Sequence, residues 1–284
     1  MNQWTWHSRL YRAADYVTRH PHLELVELNS FGCGLDAVVT DQVQEIMHQR
    51  GRLYTCLKID QSLNLGAVRI RLRSLKAAIE ERGEETGSAK PIEYPKAVFT
   101  EAMKHDKDYT ILAPEMSPIH FPIIEAAVQR EGYHIEIIPP IHEDIDKGLS
   151  CVNNDACYPA IITIGSLMRA LTSGKYDLSK TAVMLSQTGG MCRASNYVGF
   201  LHKALDEAGL SDIPVISLNT HGFEPQPGFH FSLSMGRRMI QAVIYGDALQ
   251  QCLYRTRPYE KEPGSAETLC RSWQKRCIEA ILSG

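Results

Sequence analysis

The sequence lacks a strong excess of charge of either sign. Its 284 residues include 30 lysines and arginines and 33 aspartates and glutamates, which gives a formal net charge of −3. Proteins that bind nucleic acid usually carry a basic excess or a basic stripe, and no long stripe of that kind occurs here. The composition therefore argues against nucleic acid as a partner.

Long apolar runs are also missing. The longest, at residues 159–168, contains Thr163, Gly165 and Ser166 and falls well short of the roughly 20 residues that cross a bilayer. The N-terminal residues scatter arginine, histidine and aspartate among apolar positions, unlike a signal peptide. We therefore expect a cytoplasmic protein that has no membrane partner.

Paired cysteine motifs and phosphate-binding P-loops are absent from the sequence as well. The first absence argues against a structural zinc site, and the second argues against ATP binding by this chain. Eight cysteines are nevertheless present, and a reducing cytosol does not favour a disulfide framework. These cysteines are therefore core residues, reactive thiols or metal ligands.

Short apolar runs of strand length alternate with amphipathic segments of helix length. Strands are predicted at 23–29, 53–59, 109–113, 134–138, 181–186 and 213–218. Helices are predicted between them and after them, the last two near 232–253 and 265–282. Strands that alternate with helices of this length are typical of α/β folds with parallel sheets.

The polar segment 83–107 divides this pattern into two parts. It contains two prolines and two glycines and shows little periodicity, which predicts a boundary. We divide the chain into a partial α/β lobe at 1–85, a linker at 86–107 and an α/β domain with C-terminal helices at 108–284. Two strands are too few for the first lobe to stand alone. It either shares the second sheet or, as we favour, ends a larger domain of a longer protein.

Three cysteines share one setting in this pattern. Cys33 and Cys192 each follow a predicted strand, have glycines nearby and precede a helix, and Cys157 lies two residues before the proline that opens another helix. Loops at the carboxyl ends of parallel strands form the ligand crevice of open α/β sheets. The positive end of a helix lowers the pKa of a nearby thiol and favours the thiolate.

We interpret Cys33, Cys157 and Cys192 as ligands of one iron–sulfur cluster in a cleft between the two α/β halves. Three ligands would leave one iron of a [4Fe–4S] cluster open to a substrate. Cys151 is a candidate fourth ligand, and it would instead give a fully ligated electron-transfer or scaffold module. If the thiols are only packing residues, a metal-free binder of small molecules is the alternative.

Polar residues cluster on the same loops. Candidates to orient a substrate carbonyl or hydroxyl group are Asn154, Gln187, Ser195 and Asn196, although such residues also form turns and helix caps. His120 is a candidate acid or base, and a capping or exposed histidine is the alternative. Of the remaining cysteines, Cys56 is expected in the core of a strand, Cys270 and Cys277 are expected as packing residues on one helix face, and Cys252 lies late in a helix.

Several of these loops carry strings that point to a known family. The strings NSFGCGLDAV at 29–38, APEMSPIH at 113–120, VNNDACYP at 152–159 and SQTGGMCRASNY at 186–197 resemble those of the acyl-CoA dehydratase activase-related proteins. That family fuses an ATPase activase of the 2-hydroxyglutaryl-CoA dehydratase type to dehydratase-subunit-like domains. This chain resembles the dehydratase-like part from about residue 5 to residue 250.

The resemblance implies two Rossmann-like lobes with parallel sheets, and a [4Fe–4S] or larger cluster held by cysteines on their loops. It also implies a partner, an ATP-driven activase module, fused or separate, that delivers one electron. In the related dehydratases this electron reduces a 2-hydroxyacyl-CoA thioester to a ketyl radical, and water leaves. A remoter branch reduces small molecules instead. The expected substrate is therefore acyl-CoA-like, and a homodimer is a candidate assembly.

Overall fold

The computed structural model describes residues 5–29, 36–59, 65–82, 97–153, 156–187, 196–219 and 226–284. Within these residues the chain forms a mixed α/β structure. Its helices are α1 (Thr5–Thr18), α2 (Asp36–Gln49), α3 (Leu65–Arg82), α4 (Glu101–His105), α5 (Phe121–Gln129), α6 (Glu143–Leu149), α7 (Tyr158–Thr172), α8 (Tyr197–Glu207), α9 (Leu233–Thr256) and α10 (Ser265–Ser283). Its strands are β1 (Val26–Asn29), β2 (Thr55–Lys58), β3 (Thr110–Pro114), β4 (Ile135–Ile138), β5 (Thr181–Gln187) and β6 (Val215–Asn219).

The larger sheet has four parallel strands in the order β4-β3-β5-β6. The chain passes from β3 outward to β4 and then crosses to the other side of β3 to form β5. The direction of winding therefore reverses between β3 and β5. Open α/β sheets bind ligands at such a reversal, beyond the carboxyl ends of their strands. The loops after β3 and β5 are thus the first places to look for a site.

Side chains of this sheet point alternately into two apolar layers. Leu112 and Val183 belong to the core that the sheet forms with α7 and α8. Ile111 and Ala182, their neighbours along the strands, belong to a core on the opposite face that includes the start of α9. Both faces of the sheet are therefore covered, as a parallel sheet requires.

Helices α6 and α7 pack closely because glycines lie where they meet. A Cβ atom on Gly148 would lie 2.0 Å from the carbonyl oxygen of Ile161, and one on Gly165 would lie 1.9 Å from that of Asp144. The side chain of Asp144 is fully buried and accepts a hydrogen bond of 2.5 Å from Arg169 Nε. The connection between α6 and α7 is therefore held by both backbone contact and an ion pair.

Strands β1 and β2 form a separate two-stranded parallel sheet, in which Val26 pairs with Thr55 and Asn29 pairs with Lys58. Among the described residues, neither strand joins the four-stranded sheet, so the sharing of one sheet that the sequence left open is not observed. Helices α1 and α2 cover one face of the small sheet with the buried residues Ala14, Val17, Val39, Val43 and Met47.

The alternation of β1 is the reverse of the usual pattern, because its polar side chains point inward. Glu27 and Asn29 are buried, whereas Leu28 is 65% exposed. The Tyr54 hydroxyl donates to Glu27 Oε2 at 2.9 Å, and Asn29 Nδ2 donates to Thr40 Oγ1 at 2.8 Å. Thr40 Oγ1 in turn donates to Glu27 Oε1 at 3.3 Å. Burial raises the pKa of the Glu27 carboxyl group, although the hydrogen bonds from Tyr54 and Thr40 lower it.

Helix α3 corrects one prediction from the sequence. The apolar spacing of Val68, Leu72, Leu75 and Ile79 predicts a buried face on this helix. No residue described for α3 is fully buried: Val68, Leu75 and Ile79 are half-buried, and Leu72 is 41% exposed. The tertiary contacts of α3 include polar ones from its arginines, such as Arg71 Nη1 to the Cys56 carbonyl oxygen at 3.2 Å. An amphipathic face is buried only where a neighbouring element covers it, and spacing alone does not supply that element.

The two C-terminal helices cover α5 on one side of the four-stranded sheet. Ala126 and Ala127 of α5 pack with Ala242 of α9 and Ile281 of α10 in one apolar cluster. Small residues on α5 allow these helices to approach closely. Although α9 spans 24 residues, neither it nor another helix in the described ranges is long and apolar enough to cross a membrane.

Replacement of Gly165 by alanine tests the close packing of α6 and α7. We expect Gly165→Ala to lower the free energy of unfolding by about 1–3 kcal/mol, because the new methyl group overlaps the backbone of Asp144. Urea unfolding measures this change. The matched control is Gly236→Ala in α9, where the methyl group meets only the movable ring of Phe231 at 3.0 Å. Equal stability of the two variants would contradict the packing described here.

Candidate functional site

Cys157 lies at the start of α7, directly before its first helical residue. Its backbone is extended, with φ −68° and ψ 148°, and Pro159 follows in the first turn. The Cys157 carbonyl oxygen accepts hydrogen bonds from the backbone N–H groups of Ala160 at 2.9 Å and Ile161 at 3.1 Å. The thiol itself does not cap the helix, so its sulfur is left for partners outside α7.

The partner of the Cys157 sulfur is the hydroxyl oxygen of Tyr197, at a distance of 2.9 Å. Tyr197 is the first residue of α8 and is 6% exposed. Helices α7 and α8 both begin at the carboxyl edge of the four-stranded sheet, so this contact brings their first turns together. The Cys157 thiol therefore lies at the positive end of the α7 dipole, which favours negative charge at this place.

Asn196 precedes Tyr197 and is only 3% exposed. Its side chain does not cap α8, and its side-chain nitrogen has no hydrogen-bond partner in the described part of the chain. A buried donor without an acceptor costs roughly 1–3 kcal/mol. The Asn196 amide is therefore a buried donor that the described residues leave without an acceptor. This agrees with the choice of Asn196 as a binding residue, which stays a prediction.

An ion pair joins α2 to α8. Lys203 Nζ lies 2.9 Å from Asp41 Oδ1, and the side chains are 23% and 8% exposed. Asp41 lies five residues after the first residue of α2, and Lys203 lies six residues after the first residue of α8. At 1.5 Å per residue, the pair is thus roughly 8–9 Å along each helix from its start.

A cavity of about 420 Å³ opens beside this ion pair. It is bounded by α2, the turn after α6 and α8, and its lining residues are Asp41, Gln44, Glu45, His48, Gln49, Ser150, Cys151, Val152, Asn153, Lys203 and Glu207. Residues from the second half of α2 and from the later turns of α8 both line this cavity. The lining contains three carboxylates and one ammonium group, which favours a cationic guest over an anionic one.

Cys151, the candidate fourth ligand, lines this cavity and is half-buried. Its sulfur lies 3.6 Å from Ser150 Oγ, and its side chain packs against the core under α7 and α8. Cys157 is not among the residues that line the cavity. The structure therefore gives the two cysteines different surroundings, although only five residues separate them.

The other predicted site residues fall largely outside the described ranges. Cys33, Asn154, Cys192 and Ser195 all lie there. Gln187 ends β5, where its backbone pairs with Asn219, and its side chain is likewise outside the description. Among the residues that the structure describes, no group of three or more histidine, cysteine, aspartate or glutamate side chains could hold a metal ion. Two of the three proposed cluster ligands are not in that set, so the cluster stays a prediction.

The remaining cysteines belong to packing and surface positions. Cys270 is buried in the contact between α9 and α10, and Cys277 packs beside α5, which confirms both as packing residues. Burial raises the pKa of each of these thiols. Cys56 is half-buried in β2, and burial raises its pKa as well. Cys252 is exposed on α9 and serves below as a control.

Comparison of the chain with models of protein families, with curated proteins and with solved structures gave no match in any of the three. The family resemblance therefore rests on the loop motifs of the sequence. Cofactor, substrate and partner are proposals that must be argued from the site itself.

The ion pair between α2 and α8 predicts a pH-dependent stability. Burial lowers the pKa of Lys203, but the hydrogen bond and charge of Asp41 raise it more, so the pKa lies above its ordinary 10.5. The pair therefore stabilises the fold fully below pH 10.5 and loses its effect as the pH rises through the folded pKa. We expect Lys203→Met to lower the free energy of unfolding by about 1.5–3 kcal/mol at pH 7.

Urea unfolding at pH 7 and near pH 11 measures this effect. The difference between Lys203→Met and the parent chain should shrink at the higher pH. Lys175→Met is the matched control, because Lys175 pairs with Glu136 at 2.6 Å on an exposed surface and should contribute much less. A difference for Lys203→Met that is constant with pH would contradict the role of the ion pair.

Proposed function

We propose that this protein binds an iron–sulfur cluster where α2, α7 and α8 begin, with Cys33, Cys157 and Cys192 as its ligands. The observation that carries the proposal is the contact between the Cys157 sulfur and the Tyr197 hydroxyl. Tyr197 follows Cys192 by only five residues, so one candidate ligand lies beside the helix that the other precedes.

The third ligand is supported by the ion pair between α2 and α8. Asp36, the first residue of α2, follows Cys33 by three residues. The Asp41–Lys203 pair lies five residues after the start of α2 and six after the start of α8, so we propose that the two starts lie on the same side of the molecule. The proposal requires that the segments containing Cys33 and Cys192 bring both thiols to Cys157.

The groups around Cys157 suit a negatively charged cluster. Helix N-termini stabilise negative charge, and thiolates are the usual ligands of iron–sulfur clusters. Hydrogen bonds from N–H groups to the sulfurs hold such a cluster and tune its potential. The unpaired amide of Asn196 is a donor of this kind, and it can serve either a cluster sulfur or the carbonyl oxygen of a substrate. Cys157 would bind the iron, and Asn196 would orient the acceptor.

The reaction that we propose is a low-potential reduction, or a radical dehydration, of an acyl-CoA-like substrate. Support for it comes from the motifs that resemble the dehydratase-like family, in which an ATP-driven activase supplies the electron. This chain has no P-loop, so the activase would be a further module, fused or separate. The cavity beside Lys203 is rich in carboxylates and does not suit the phosphates of CoA. We therefore do not place the CoA moiety in it.

Anaerobic reconstitution tests the cluster. The complete chain should take up about four iron and four sulfide per molecule, and Cys157→Ser should lose most of both. Cys252→Ser is the matched control, because that thiol is exposed on α9 and far from the helix starts in sequence. Iron and sulfide analysis of folded samples is the measurement. Full iron content in Cys157→Ser would remove Cys157 from the ligand set, and a colourless chain would favour the metal-free binder.

A fully ligated electron-transfer or scaffold module is the second candidate function, because Cys151 lies six residues before Cys157 in the same connection. Its place on the cavity favours three ligands and an open iron instead. We therefore expect Cys151→Ser to keep its iron, and the EPR signal of the reduced chain to change on addition of a 2-hydroxyacyl-CoA. Free CoA is the control. Loss of iron in Cys151→Ser and an unchanged signal would favour the fully ligated module.

A further inference from the structure

A serine, a histidine and an aspartate form a hydrogen-bonded row beyond the carboxyl end of β3. Ser117 Oγ lies 2.8 Å from His120 Nδ1, and His120 Nε2 lies 3.1 Å from Asp247 Oδ1. Ser117 and His120 belong to the loop between β3 and α5, whereas Asp247 belongs to α9. This loop borders the reversal between β3 and β5, the position at which open α/β sheets bind ligands.

The aspartate determines which nitrogen of the histidine carries the proton. An ionised carboxylate only accepts hydrogen bonds, so Nε2 of His120 must donate to Asp247. In the neutral ring, Nδ1 then accepts, and the hydroxyl of Ser117 donates to it. This is the arrangement in which an imidazole takes a proton from a serine and a carboxylate stabilises the resulting imidazolium.

Two helices hold the loop in place. A Cβ atom on Gly246 of α9 would lie 2.2 Å from His120 Cδ2, so this glycine lets α9 pack directly on the ring. The His120 side chain is accordingly only 13% exposed. Gln274 Nε2 of α10 donates to the carbonyl oxygens of Pro118 at 2.8 Å and Ile119 at 3.0 Å. Such fixed geometry is what a reacting group needs before a substrate binds.

Donors for a developing negative charge are also present. The backbone N–H groups of Ile119 and His120 make no hydrogen bond within the described ranges. Both lie in the turn that Ser117 begins, because the Ser117 carbonyl oxygen accepts from the N–H of Phe121 at 3.0 Å. N–H groups in the first turn of a helix point back towards its start. They are therefore available to an oxyanion that forms near Ser117.

We propose that Ser117 is a nucleophile, activated by His120 and oriented by Asp247, that transfers acyl groups from thioesters or esters to water. As Ser117 Oγ bonds to the carbonyl carbon, its proton moves to His120 Nδ1. The C–S or C–O bond then breaks, and the leaving group takes that proton. Water repeats the two steps, which releases the carboxylic acid and restores Ser117. This activity goes beyond the proposed cluster and does not depend on it.

The competing explanation is that Ser117, His120 and Asp247 have only a structural role, because their hydrogen bonds also connect the loop before α5 to α9. The partial exposure of Ser117 and the unused N–H groups beside it favour a nucleophile. Asp247 is 73% exposed, so water screens its electrostatic interaction with the His120 imidazole more than it would for a buried carboxylate. We therefore expect the loss of Asp247 to slow the reaction, and only the loss of Ser117 to abolish it.

A fluorophosphonate probe tests the proposal on the complete chain, with the labelled residue identified by peptide mass spectrometry. Ser117 should be labelled, and the chain should hydrolyse p-nitrophenyl acetate and acetyl-CoA. Ser117→Ala should abolish both signals. Asp247→Asn should lower the rate by roughly tenfold or more, because an amide that donates to Nε2 favours the wrong tautomer. Ser272→Ala is the control, since that exposed hydroxyl bonds only to Leu269 of its own helix.

A parent chain that is folded but unlabelled at Ser117 would overturn the proposal without need of any variant. Hydrolysis that persists in a folded Ser117→Ala chain would do the same. Thermal unfolding of each variant shows whether it is folded. A lower unfolding midpoint in Asp247→Asn, without labelling of the parent chain, would identify the row as a tether between α5 and α9.

Discussion

The candidate cluster site depends on one contact, the approach of the Cys157 thiol to the Tyr197 hydroxyl. This contact connects the first turns of α7 and α8 and thereby places the candidate site at the carboxyl edge of the four-stranded sheet. On one side, Gly148 and Gly165 allow α7 to pack closely against α6. On the other side, the pair of Asp41 and Lys203 connects α8 to α2. Side-chain contacts thus link three helices, α2, α7 and α8, that arise from distant parts of the sequence.

Most of the fold was predictable because its elements leave local signals. The six strands and the C-terminal helices lie close to their predicted positions, since apolar runs and glycine or proline boundaries mark them. Helix α6 was missed because it is short and carries charges, one of which, Asp144, is buried and accepts hydrogen bonds from Arg169 and from the backbone N–H of Ile141. The face predicted to be buried on α3 is only half-buried, because burial depends on a neighbouring element rather than on spacing.

The candidate site was predictable only in part. Cys157 could be chosen from its place before a helix-opening proline, and His120 could be named as a polar residue on a loop after a strand. Their partners could not, because Tyr197 lies 40 residues from Cys157 and Asp247 lies 127 residues from His120. Contacts of this kind follow from the order of strands in the sheet and from helix packing. A pattern in one stretch of sequence does not contain them.

The inward-pointing polar residues of β1 help to determine the register in which β1 pairs with β2. If the register of β1 against β2 shifted by one residue, Val26 and Leu28 would be buried, and Glu27 and Asn29 would be exposed. Hydrophobic burial alone would favour that shifted register. The observed register is therefore favoured by the hydrogen bonds of Glu27 with Tyr54 and of Asn29 with Thr40, and in this register Leu28 stays exposed to solvent.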